Sequence, residues 1–164
     1  MVGKWPKTMR KHVKHRPTAR ILLINPQNEI LLYKTHFDPE VQLPPRWLTP
    51  GGGIDEGETE LQAAVRELYE ETGIRIQEED LSEPILVTSG TWLWGDGIHS
   101  HTYTDTIFRY QVESFSPDTS GFTQDELRDV LEMKWWNVQE LLDSGEQLAP
   151  HKLADWLRAN IPSN

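Results

Sequence analysis

Residues 51–74 read GGGIDEGETELQAAVRELYEETGI, and their spacing decides the fold. Thr59 is a good N-cap, and Gln62 stands three residues later, the pattern of a capping box. Gly73 is the expected stop, because helices commonly end on a left-handed residue that glycine adopts without strain. The spacing predicts a helix over Glu60 to Thr72. Leu61, Ala64, Val65 and Leu68 recur at i, i+3, i+4 and i+7 and define one buried stripe. Glu67, Glu70 and Glu71 are also spaced i, i+3, i+4, so they emerge on one face beside that stripe. Like charges at this spacing destabilise a helix by a few tenths of a kcal/mol per pair, roughly. Glu70 and Glu71 also lie in the last turn, where the helix dipole disfavours anions. Arg66, four residues before Glu70, offsets only part of this. Hard divalent cations offset the rest, since carboxylate oxygens suit magnesium or manganese. A solvated acidic face is the competing reading, and such faces are common.

Working outward, Thr18 to Asn25 (TARILLIN) reads as a strand, Pro26 to Glu29 as a turn and Ile30 to Tyr33 as its hairpin partner. His36 to Arg46 is a proline-containing loop, and Trp47 to Thr49 a short strand entering Pro50 and the three glycines. Pro84 to Thr91 and Thr102 to Val112 are β-rich, separated by a turn signal at Trp94 to Gly97. Ser114 to Gln124 is loop-like, Asp125 to Leu131 a short helix, Met133 to Trp136 a strand and Val138 to Asp143 a helix. A last amphipathic helix covers about Lys152 to Asn160, with Leu153, Trp156 and Leu157 on one face. Mixed strands with a few helices, and no repeat or linker, predict one α/β domain over residues 18–164.

The fixed residues Gly52, Glu58, Arg66, Glu67, Glu70, Glu71 and Gly73, with apolar Leu68 and Ile74, resemble the Nudix box at every position. That box is G-x5-E-x7-R-E-U-x-E-E-x-G-U, where U is apolar. The resemblance implies an α/β/α sandwich around a mixed sheet and hydrolysis of a diphosphate linkage. It implies that Glu67, Glu70 and Glu71 are metal ligands and that the Gly51 carbonyl joins them. Arg66 is implied to orient a neighbouring glutamate, and Glu58 to brace the loop ahead of the helix. Members of the family also use a base. Glu126 is the preferred candidate, against the reading that Asp125 and Glu126 merely start a helix where anions are favoured. Glu70 is the alternative base.

The remaining features bound the substrate and the partners. The chain has no cysteine, which excludes disulfides and thiolate metal sites. Its formal net charge is -10, yet residues 1–17 carry six cations (Lys4, Lys7, Arg10, Lys11, Lys14 and Arg16) and no acid. They read as a basic tail, and the acidic remainder argues against a dedicated DNA binder. Apolar runs such as Ile21 to Ile24 are too short to span a bilayer, no secretory signal is evident, and a cytoplasmic protein is expected. Trp47, Trp92 and Trp94 are candidates to stack on a base, with Tyr103 beside them, against the usual reading of tryptophan as core. His99 and His101 alternate with Tyr103 and are able to meet phosphate. The expected substrate is a small nucleotide-type diphosphate: a nucleoside diphosphate linked to another group, or a nucleoside triphosphate. The expected protein is a monomer or homodimer. A nucleotide-binding sensor without turnover and an RNA 5′-end pyrophosphohydrolase are the alternatives.

Overall fold

The computed structural model describes residues 11–36, 44–94 and 96–162. The chain forms strands β1 (Lys11–Ile24), β2 (Glu29–Thr35), β3 (Arg46–Leu48) and β4 (Gly51–Gly53), then helix α1 (Glu60–Thr72). Strands β5 (Leu86–Leu93) and β6 (His99–Gln111), helix α2 (Gln124–Asp129), strand β7 (Val130–Asn137) and helices α3 (Val138–Asp143) and α4 (His151–Asn160) follow. The strands join in one mixed sheet with the central order β3-β2-β1-β6-β5, in which β4 also pairs with β1 and β7 with β2.

The run TARILLI is apolar at nearly every position because β1 is covered on both faces. Leu22 and Ile24 join a core under α3 and α4 that includes Leu141, Leu153 and Leu157. Ala19, Ile21 and Leu23 point the other way, onto Ala63, Ala64 and Leu68 of α1. Alternation along one strand thus builds both cores of an α/β/α sandwich. Trp135 and Trp136 repeat the pattern, one packing on each side.

The β1–β2 hairpin closes as expected. Asn25 Oδ1 accepts the amides of Gln27 (3.0 Å) and Glu29 (2.8 Å), and Asn28 takes a left-handed φ of 59°. The two strands share only the Ile24–Ile30 pair before they part. Beyond that, β1 pairs with β4 and β6, while β2 pairs with β3 and β7. A cleft opens between the diverging strands.

Two expectations are corrected. Strand β1 begins at Lys11, so Lys11 to Pro17 are not tail but a strand extension hydrogen-bonded to β6. Residues 1–10, and the part of the proline loop at 37–43, lie outside the described residues. The buried face of α1 carries Ala63, Ala64, Glu67, Leu68 and Glu71, while Leu61 and Val65 are only partly buried. It is turned by roughly 60° from the apolar stripe toward the carboxylates.

Candidate functional site

The helix bounds and caps are as read. Thr59 Oγ1 accepts the Gln62 amide (3.1 Å), Gln62 Oε1 accepts the Thr59 amide (2.9 Å), and Gly73 ends the helix at φ 80°. The turn of α1 toward the sheet sorts its acids. Glu67 and Glu71 are one helical turn apart, about 40° around the axis, and face inward; Glu70 lies about 60° to the other side. Glu67 and Glu71 are 8% and 3% exposed, whereas the Glu70 side chain is 40% exposed.

Carboxylate oxygens of Glu67, Glu71 and Glu126 lie within 4.8 Å of one another. Glu126 arrives from the first turn of α2. Its Oε2 accepts the Thr123 amide (2.7 Å) in a second capping box, and its carboxylate faces the α1 pair. Glu70 is not part of this group. It is held at 3.3 Å by Arg66. Arg66 also binds both oxygens of Glu58 (2.7 and 2.8 Å), Glu67 Oε1 (2.9 Å) and the Gly53 carbonyl (3.0 Å). It thereby ties the glycine loop, the pre-helix loop and one buried carboxylate together. The Arg66 bond holds the Glu58 carboxyl below its ordinary range.

Burial pushes the Glu67 carboxyl up, and it pushes Glu71 up well above the ordinary value. A single backbone amide, Gly51 N–H, donates to Glu71 Oε2 at 2.8 Å. Three oxygen-only acids, two of them desolvated, converge with too little positive charge to balance them. That donor set fits a hard divalent cation. The Gly51 carbonyl accepts long hydrogen bonds from Tyr33 Oη (3.3 Å) and Arg20 Nη1 (3.4 Å). Gly52 is required by close approach: a Cβ there would sit 2.7 Å from Glu67 Cδ.

The cluster opens into a pocket of about 430 Å3 whose wall includes Arg16, Arg46, Trp92, His101, Tyr103 and Asp105. Trp92 stands under the Arg46 guanidinium, 4.9 Å from the ring centre. Tyr103 lies across Gly90, where an added Cβ would be 2.5 Å from its hydroxyl. Trp47 is instead a core residue, 2% exposed, packed edge-on against Trp136 at 5.3 Å with its Nε1 on Glu146. Its position next to the glycine loop misled: β3 turns that ring away from the pocket. Trp94 is exposed outside the pocket and donates to His101 Nδ1 (3.1 Å). Sequence reasoning missed Arg20 and Asp105, which meet at 4.0 Å in the pocket floor beside Thr18, Tyr33 and the Thr49 carbonyl. A lone arginine inside TARILLIN was the available signal, since a cation in a doubly covered strand needs partners.

The α/β/α sandwich with an acidic α1 beside a glycine loop defines a class, and the chain belongs to it: the NUDIX domain family model matches residues 14–157. An RNA pyrophosphohydrolase of Rhizobium meliloti is 38% identical over 88 residues, which are 50% of this chain and 47% of that protein. Nudix hydrolase 25 of Arabidopsis thaliana is 26% identical over 139 residues, 79% of this chain and 76% of that protein. A MutT NUDIX hydrolase of Burkholderia pseudomallei superposes with a TM-score of 0.63 at 21% identity, covering 88% of this chain and 96% of that one. The chain spans about half the length of the first of these relatives. Among the described residues, no helix is long and apolar enough to cross a membrane.

Proposed function

We propose that the protein hydrolyses a phosphoric anhydride in a nucleoside triphosphate, or in a nucleoside diphosphate linked to another group, using magnesium or manganese. The observation that carries this is the convergence of Glu67, Glu71 and Glu126 on the floor of a pocket whose wall also carries Arg16 and Arg46. A diphosphate is itself anionic, so this acidic floor would repel it unless cations intervene. Bound divalent ions would supply that neutralisation and, as Lewis acids on the phosphoryl oxygens, would make phosphorus more electrophilic. Glu67 and Glu71 hold the ions, with the Gly51 carbonyl in reach. Arg66 keeps Glu67 oriented. Arg16 and Arg46 bind outer phosphate oxygens, and Trp92 and Tyr103 offer faces to a base. Glu126 takes the proton from the water that attacks phosphorus in line. An RNA 5′ end is a second reading, favoured by the name of the Rhizobium meliloti relative.

Turnover is the test. Nucleoside triphosphates, oxidised ones, ADP-ribose, nucleotide sugars, dinucleoside polyphosphates and 5′-triphosphorylated RNA are incubated with and without magnesium. Magnesium-dependent cleavage of one supports hydrolysis and identifies the substrate. Thermal stabilisation by a ligand with no cleavage of any replaces the proposal with a nucleotide sensor.

A further inference from the structure

The β1 extension carries a feature that the pocket does not explain. Across the sheet, Arg16 stands opposite Tyr103 and Lys14 opposite His101, while His101 stands opposite Trp92. Arg16, Tyr103, His101 and Trp92 line the pocket, so Lys14 continues the same face by strand alternation. Lys11 is three residues from Lys14, and a regular strand would turn it to the other side. A register shift between His12 and Lys14 prevents that, and Lys11 falls opposite His99, which lies on the pocket face with His101. Trp94 shares this face, bonded to His101 and 5.4 Å from the His99 ring. The result is a ribbon leading out of the pocket, with cations along one edge and indole rings along the other. Lys11 to Arg16 carries three cations and no acid in a chain of net charge -10. Burial, and then the charges of Arg16 and Lys14, keep His101 below its ordinary pKa.

We infer that this ribbon is a binding track for a single-stranded nucleic acid whose 5′ phosphoanhydride end occupies the pocket. Same-face residues recur about every 6.8 Å along a strand, a step comparable to one extended nucleotide. Lys14 and Lys11 meet successive phosphates, and Trp92 and Trp94 meet successive bases, the combination by which proteins hold single strands without reading sequence. The track rests on the hydrolase reading, because that reading places the 5′ end in the pocket.

The experiment uses the full chain and single strands of one to six nucleotides, ending in 5′-triphosphate or 5′-hydroxyl, with ribose and deoxyribose. Binding is followed by fluorescence anisotropy, and kcat/KM by phosphate release with magnesium. Both are expected to rise by about tenfold per stacked base over the first two or three nucleotides and then level off. The salt slope should steepen by about 0.7 per phosphate engaged. Lys11→Glu with Lys14→Glu, and separately Trp94→Ala, should remove the length dependence and leave mononucleotide turnover unchanged. Length-independent binding and turnover in the wild type overturn the track, as does equal binding of polyglutamate, which would show a general polyanion surface. Mononucleotide cleavage without length dependence defeats the track alone. Length-dependent binding without cleavage of any substrate defeats the hydrolase reading alone.

Discussion

Replacing Gly52 with alanine adds one methyl group and no charge, yet it should disable the site. The new Cβ would lie 2.7 Å from Glu67 Cδ and 2.7 and 2.8 Å from its two oxygens. Ordinary carbon contacts sit near 3.5 Å, so about 0.8 Å must be found. Strand β4 cannot retreat, because Gly52 is paired with Ala19 of β1. The Glu67 carboxylate must therefore move, against the 2.9 Å bond from Arg66 and away from Glu71 and Glu126. A displacement near 1 Å at a reacting centre costs on the order of 100-fold in rate. Overpacking of this size costs about 1–3 kcal/mol of stability, so the variant should still fold. Gly53→Ala is the control, since a Cβ there meets nothing within 4 Å. Steady-state phosphate release under saturating magnesium, with a thermal melt of each variant, is the assay. A folded Gly52→Ala enzyme within about threefold of wild type would refute the reasoning that Glu67 must stay where it is.

Glu71→Gln should drop turnover by at least about 100-fold while the melt in chelator holds or rises, because a desolvated charge is removed and the amide oxygen still accepts from Gly51. Activity above a tenth of wild type would count against its role. Leu68→Ala, at a fully buried position, should cost roughly 2–5 kcal/mol in denaturant unfolding; no shift in midpoint would mean the helix faces elsewhere. Burial raises the Glu67 and Glu71 carboxyls above the ordinary 4.5, so both bind protons more tightly folded than unfolded. Their contribution is complete below that value and is lost as pH rises through the raised pKa. In chelator the melting temperature should therefore fall as pH rises above the ordinary 4.5, and magnesium should restore more at the higher pH. A magnesium shift independent of pH would contradict this.

Much of the fold was legible because local and global signals agree. The bounds of α1 follow from Thr59, Gly73 and the apolar spacing, and the double-faced packing of β1 follows from the apolar run Ile21 to Ile24. The site was legible in part. Glu67, Glu71 and Glu126 could be named, but periodicity alone cannot choose which of three neighbouring acids faces the sheet. That choice depends on how α1 rotates to bury Ala63 and Ala64, whose small side chains admit close packing. Glu70 lies on the Arg66 side of the pair for this reason. The pocket cations Arg16 and Arg46 come from strands far apart in sequence, and their meeting depends on the divergence of β1 from β2. The β1 extension was hidden because its exposed, basic residues lack an apolar alternation and are held by pairing with β6.

The proposed chemistry requires that Glu67 and Glu71 hold a divalent cation beside Glu126. Titration of the wild-type protein with Mn2+, followed by electron paramagnetic resonance of the free ion, tests it without reference to any substrate. Bound Mn2+ should be displaced by magnesium, with affinity falling on the order of tenfold or more in Glu67→Gln and in Glu71→Gln, and unaltered in Glu60→Gln on the exposed first turn. Mn2+ affinity that is the same in all of these variants would contradict it.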